Sequence, residues 1–337
     1  MICRFIFAFW AILLLAACQK KDDEMRIDRA QLKIPVGFPQ LPVSLADELT
    51  DSRIALGKKL FYDARLSRDN SISCGSCHKL ENAFAEPLSL SKGIDGRTGF
   101  RNAQALFNLA WKDHFFRDGG VSLLKLTSMN PIQNPDEMGS SIQAIVGKLQ
   151  DDEAYKAEFK KAYDDTLSGN SILHALMCFQ LTLISGNSRY DQWKNGNITA
   201  LSENEKKGMD LFFSSKTGCS NCHGGFNFDS PGFTCNGLFE TYADSGRQRI
   251  TMDPADRGKF SVPSLRNIDL TAPYMHDGSI ATLDDVLNRY IKGGTAFYNK
   301  DERIRPLKLS NAERDALLAF LRSLSDEGFL YNIEFKP

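Results

Sequence analysis

The sequence lacks an excess of either charge: 41 lysines and arginines stand against 42 aspartates and glutamates, a formal net charge of −1. A chain so balanced has no basic footprint for nucleic acid or an anionic lipid surface, so its partners must be read from particular sites. Long apolar runs are also scarce. The run at the N-terminus, Phe5 to Ala17 behind Arg4, is too short to span a bilayer unaided and reads as a signal peptide. Alternating apolar and polar stretches are few, and loops rich in glycine, proline and asparagine join the helical segments. The expected fold class is therefore mainly α, with any strands short. A chain of 337 residues exceeds one ordinary core and suggests two domains.

Leu15-Ala16-Ala17-Cys18 resembles a bacterial lipobox. That resemblance implies removal of residues 1–17, acylation of Cys18 and a tether over 18–35 that includes the charged spacer Gln19 to Glu24. The protein is then expected to be an exported lipoprotein on the periplasmic or outer face of a membrane. An ordinary cleaved signal is the alternative.

Eight cysteines in an exported chain would ordinarily invite a disulfide framework. Their placement argues otherwise. Cys74-Gly75-Ser76-Cys77-His78 and Cys219-Ser220-Asn221-Cys222-His223 are two copies of C-x-x-C-H, the attachment motif of c-type haem. The spacing sets two thiols on one turn, where they add to the two vinyl groups, and the adjacent histidine swings under the ring as iron ligand. Cys3 leaves with the signal and Cys18 carries lipid. Cys178, in the apolar run Ile172 to Ile184, reads as a small buried hydrophobe. Cys235, in a Gly/Pro-containing loop, can pair with Cys178 or stay free.

Each haem motif follows a helical lead-in, Ile54 to Phe61 and Gly208 to Phe212, with a shared Gly-x-x-Leu-Phe core. This suggests two cytochrome c-like units divided near residue 198, one over 36–197 and one over 198–337. A long helix is expected over roughly Ser171 to Ile184, followed by a polar linker, Ser185 to Asn197. Ser310 with Glu313 reads as a capping box opening a C-terminal helix that should pack on the second lead-in. Thr282 with Asp285 reads as another. The helix it opens carries Leu283, Val286, Leu287, Tyr290 and Ile291 on one face, so Tyr290 points inward, either as a core side chain or as a ligand.

With two C-x-x-C-H units in this order, the chain resembles the bacterial dihaem cytochrome c peroxidases and their MauG-type relatives over about residues 36–335. The carrying segments are Arg101-Asn102, Phe115 to Gly119, Asn130 to Met138, Gly258 to Asn267 and the stretch from Thr271 to Tyr290. The resemblance implies two c-type haems whose faces meet at the domain interface, with His78 and His223 as proximal ligands. It assigns Glu137, beyond the turn that begins at Pro131, as the distal acid–base for peroxide cleavage; on its own a loop carboxylate there reads as solvated. Residues 79–113 hold no histidine, so the first haem should be five-coordinate and open to peroxide. His114 falls beyond that loop and reads as a structural histidine, as does His174 in the apolar run.

For the second haem the family counts fourteen residues from the histidine of Pro-Tyr-x-His, which leads from His276 to Tyr290. Met275 is the alternative ligand, and His276 lines the pocket. A calcium ion between the haems would map to Asn102, Thr271 and Pro273. Two departures stand out: Arg117 occupies the place of the usual inter-haem tryptophan, with Trp111 as a displaced substitute, and Thr127 stands where a distal glutamine is common. Arg117 can instead neutralise propionates. The resemblance implies hydrogen peroxide as substrate, an exported electron donor or protein substrate as partner, and a dimer as a common assembly. Tyrosine ligation favours a MauG-like oxidase that stores an oxidising equivalent. The alternatives are a cytochrome c peroxidase fed by a small cytochrome or cupredoxin, and a non-catalytic dihaem carrier or sensor.

Overall fold

In the computed structural model, which describes residues 30–164 and 167–337, the chain forms two helical cores built on one plan. The signal peptide, Cys3, Cys18 and most of the 18–35 tether lie outside the described residues. Seven longer helices carry the fold: α1 (Asp51–Tyr62), α2 (Ile142–Leu149), α3 (Glu153–Tyr163), α4 (Gly169–Thr182), α5 (Glu203–Phe213), α6 (Leu283–Ile291) and α7 (Asn311–Arg322). Among the described residues no helix is long and apolar enough to cross a membrane. The strands are as short as expected: β1 (Phe233–Thr234) pairs antiparallel with β2 (Phe260–Ser261).

Capping residues explain where the main helices begin. Thr50 accepts from the Arg53 amide at the start of α1, while Ser202 with Glu205 and Ser310 with Glu313 form reciprocal boxes at α5 and α7. The helix expected from Ser171 opens at Gly169 instead, because the box there is Ser168 with Ser171, and it ends at Thr182.

In each core two helices cross at a glycine. A methyl group on Gly57 of α1 would lie 1.9 Å from the Ala175 carbonyl oxygen of α4, and one on Gly208 of α5 would lie 1.9 Å from that of Ala316 in α7. The Gly-x-x-Leu-Phe repeat is thus a packing device: glycine admits the partner backbone, and the following leucine and phenylalanine fill the core. Leu60, Phe61, Phe84, Phe159 and Phe179 centre the first core, and Phe212, Phe228, Leu287, Leu317 and Phe320 the second.

A division near 198 leaves most of each core on its own side, with two crossings. Phe329 and Phe335, from the end of the chain, belong to the first core. Tyr190 belongs to the second, and its neighbour Asp191 takes Arg266 in a buried two-pronged ion pair at 2.7 and 2.9 Å. A buried polar network joins the halves: Asn108 donates to the Ser185 carbonyl and to Asn227 Oδ1, and Asn267 donates to Ser185 Oγ, whose backbone neighbours donate to Asp326.

The junction repeats the duplication. Phe115-Phe116-Arg117-Asp118-Gly119 and Tyr274-Met275-His276-Asp277-Gly278 form matching turns, each closed by an antiparallel bridge (Phe115 with Val121, Tyr274 with Ile280). Phe116 and Met275 have positive φ in equivalent positions, 64° and 79°. The turns are tied reciprocally across the junction. Ser261 N–H donates to the Arg117 carbonyl at 2.7 Å, and Asn102 N–H donates to the His276 carbonyl at 2.9 Å.

Candidate haem centres

One helical turn presents each attachment motif. The His78 amide donates to the Cys74 carbonyl and the His223 amide to that of Cys219, both at 2.9 Å, so both thiols and the histidine project from a single turn. His78 Nδ1 bonds the Phe84 carbonyl at 2.8 Å, and His223 Nδ1 bonds those of Phe228 and Pro263 at 3.2 and 3.1 Å. These bonds fix the ring orientation and leave Nε2 to face a ligand. Burial holds both imidazoles below their usual pKa, keeping them neutral and ready to ligate. Phe84 and Phe228 both adopt positive φ, 57° and 53°. The cost of that conformation is spent on aiming a carbonyl at the ligand.

Burial raises all four motif thiols, Cys74 to about 12 and Cys77 to about 11. Neutral thiols beside oriented imidazoles fit thioether attachment of haem.

Glu137 belongs to the first centre. Its charge raises both Cys74 and Cys77, and burial lifts its own pKa above the ordinary carboxylate value. Asn134 Nδ2 donates to Oε1 at 2.8 Å, leaving Oε2 for other chemistry. The turn is held by the Met138 amide on the Pro131 carbonyl and the Ser140 amide on that of Ile132. Thr127 donates its hydroxyl to the Leu124 carbonyl at 2.7 Å, a local bond in place of the reach an amide would have. A residue missed in the sequence is Glu86. It is buried, raised by desolvation and bonded by Ser91 Oγ, and its charge acts on Cys77. No motif marks it.

At the second centre Tyr290 lies on α6, half-buried, within electrostatic reach of Cys222 and Cys219. Burial raises its hydroxyl, and a hydrogen bond from Asn236 opposes that rise. The Asn236 amide also donates to Met275 Sδ at 3.3 Å, so both candidate ligands meet at one side chain that sequence reasoning did not single out. His276 is buried and stacks on Phe260, centroids 4.0 Å apart and rings 18° from parallel. His174 has partners in Tyr163 Oη and Glu48 Oε2 at 2.8 and 2.9 Å, and His114 lies against the Phe233 ring. Cys178 and Cys235 are free and sit in different hydrophobic clusters. Trp111 donates to the Pro39 carbonyl and packs between Phe38 and Phe226.

The family model for di-haem cytochrome c peroxidase matches residues 51–199. The methylamine utilization protein MauG of Methylorubrum extorquens is 35% identical over 310 residues, covering 90% of this chain and 87% of that protein. The chain belongs to the dihaem cytochrome c peroxidase and MauG family. Cytochrome c peroxidase Ccp of Escherichia coli is also 35% identical, over 281 residues that cover 81% of this chain and 58% of that longer protein. A crystal structure of a MauG-like protein associated with microbial copper homeostasis superposes with a TM-score of 0.86 at 34% identity, covering 91% of this chain and 99% of the other. Family membership makes this a haem peroxidase-type oxidoreductase with two c-type haems, acting on hydrogen peroxide and a protein electron donor or substrate.

The calcium position fits less well than the haems. Asn102, the expected side-chain oxygen ligand, already accepts from Arg117 Nη2 at its Oδ1 (2.8 Å), while its Nδ2 donates to the Leu88 carbonyl at 3.1 Å. Its amide is thereby oriented towards a cation that the chain supplies. Thr271 and Pro273 enter the expected set through backbone carbonyls, which need no particular side chain.

Proposed function

We propose that the protein is a MauG-like oxidase in which Glu137 serves peroxide cleavage at the His78 haem and Tyr290 is the sixth ligand of the His223 haem. The observation that carries this is the buried Tyr290 hydroxyl, which lies within electrostatic reach of Cys219 and Cys222 and is bonded by Asn236. When bound, the haems supply iron that accepts peroxide and exchanges electrons. A phenolate ligand favours ferric and higher states, whereas a thioether favours ferrous iron. Tyr290 therefore suits retention of an oxidising equivalent, and Asn236 supports it by donating to the phenolate while engaging Met275. Glu137 Oε2 takes a proton from the bound peroxide and returns it to the departing oxygen, with Asn134 holding Oε1. With the haems bound, the retained equivalents would be discharged by electrons drawn from an aromatic side chain of an exported partner protein, which is oxidised in turn. Anchoring through Cys18 would keep enzyme and partner at one membrane surface, and fractionation of the mature protein with membranes checks it.

A second reading is the reduction of peroxide to water with electrons from a small cytochrome or cupredoxin. Arg117, standing where an aromatic relay would pass a hole, weighs on both readings alike, because a guanidinium cannot carry one.

The test is one equivalent of peroxide added to the ferric holoprotein. A long-lived spectral intermediate is expected; rapid discharge by a small cytochrome c supports the second reading instead, and no spectral change defeats both. Tyr290→Phe is expected to change the low-temperature EPR signal of the second haem. An unaltered signal removes Tyr290 from the iron.

A further inference from the structure

We propose that Arg117 is the resident cation of the junction: its guanidinium takes the place of a metal ion at Asn102, and its unpartnered Nε–H is the donor for a haem propionate. The first half rests on geometry. Arg117 Nη2 lies 2.8 Å from Asn102 Oδ1 and 3.4 Å from the Asn102 carbonyl, so one nitrogen covers two oxygens of a single residue, as a bound cation would. Asn102 cannot turn its amide away without breaking its Nδ2 bond to Leu88. A calcium ion at the same oxygens would stand against a full positive charge in a site of low effective dielectric.

The second half rests on what the guanidinium lacks. Arg117 Nε is enclosed and has no hydrogen-bond partner among the described residues. The nearby carboxylates do not reach it: Asp118 is taken by Arg101 and Arg249, Asp244 by Arg101, and Asp277, whose charge acts on Arg117, accepts from the Ser279 amide and makes no bond to Nε. Burial, with Arg101 alongside, pushes Arg117 down to about 10, which still leaves it charged at neutral pH. A charged, enclosed and unpaired N–H is costly. The place the described residues leave open at Nε suits an anion brought by a cofactor. The junction lies between the two haem-bearing halves, and haem carries two carboxylates. Arg117 also faces its counterpart in the duplicated turn, His276, whose pKa it helps to hold down together with burial and Arg101, against Asp277 and Asp244.

The test uses the full-length holoprotein. Dialysed against excess calcium chloride and desalted, the wild type is expected to retain well under one calcium per chain, with haem spectra and melting unchanged by EGTA. Arg117→Gln, which frees the Asn102 oxygen, is expected to retain one calcium per chain. Arg117→Lys, which keeps the charge, is expected to retain none. In calcium-free buffer Arg117→Gln should also lower the midpoint potential of at least one haem, because removing a nearby positive charge favours the ferric state, while Arg117→Lys should stay near the wild type. Stoichiometric calcium in the wild type, or none in an Arg117→Gln protein that keeps both haems, overturns the metal replacement. Unchanged potentials overturn the propionate contact. If Arg117→Gln fails to take up haem, the wild-type calcium content and the Arg117→Lys potentials still decide. Neither readout depends on peroxide turnover, so failure here is distinguishable from failure of the proposed oxidase chemistry.

Discussion

Glu137 is chemically an ordinary glutamate, and its surroundings are what make it useful. Desolvation raises its pKa, Asn134 holds one oxygen, and its charge reaches both attachment thiols. Glu137→Gln keeps the bond to Asn134 but removes the titrating proton, so the rate of reaction with peroxide should fall by about 10²-fold or more in stopped-flow absorbance, with haem content intact. Proton transfer begins on the carboxylate, so the wild-type rate should drop as pH falls through a value above the usual glutamate range, and the variant should lose that dependence. A normal rate in the variant would remove Glu137 from the mechanism. At this scale the sequence offers candidates wherever a motif or a count exists: the two C-x-x-C-H units, the fourteen-residue step to Tyr290 and the turn carrying Glu137. Glu86 and Asn236 were not legible, because each acts through contacts made by loops whose neighbours are distant in sequence.

Helices in this molecule are decided at their ends and at their glycines. The boxes at Ser202, Ser310 and Ser168 open them, and Gly57 and Gly208 let them cross. Gly208→Ala would gain roughly 1 kcal/mol of helix propensity but sets a methyl group 1.9 Å from the Ala316 carbonyl oxygen. Overpacking of that kind costs about 1–3 kcal/mol and can cost more. A net loss is expected, read as a lower melting temperature of the holoprotein. Gly147 of α2 has nothing within 4 Å of an added methyl, and Gly147→Ala should gain about 0.5–1 kcal/mol. If both variants shift the melting temperature in the same direction, close backbone approach is not what fixes Gly208. The repeated Gly-x-x-Leu-Phe pattern could be read from the chain as a duplication; its reason, a carbonyl from a helix more than a hundred residues away, could not. The paired turns at Arg117 and His276 share only the Asp-Gly ending, which is why their duplication emerges from matching bridges and dihedrals.

Across the whole molecule, the end of the chain returns to its beginning. Phe329 and Phe335 pack edge-on against Phe84 at 5.9 and 6.1 Å, and the Tyr62 hydroxyl donates to the Phe335 carbonyl at 2.6 Å. Phe84 supplies the carbonyl that orients His78, so the tail of the second half supports the motif histidine of the first. Phe335→Ala should cost about 3–5 kcal/mol. In a denaturant titration that follows each haem by EPR, the first centre should be disturbed before the second; simultaneous loss, or loss of the second first, would deny the tail this role. Composition and motif spacing pointed to two helical haem units, but a division near 198 could not show that each borrows from the other, since a few aromatic residues at a terminus carry no signal of their destination.

That borrowing sets an order of assembly. Synthesis runs from the N-terminus, so Cys74, Cys77 and His78 are available long before Phe335 arrives, and the first haem pocket is begun first and sealed last. A cofactor held only by packing would be free to leave during that interval. Two thioether bonds would hold the haem whether or not that wall is finished.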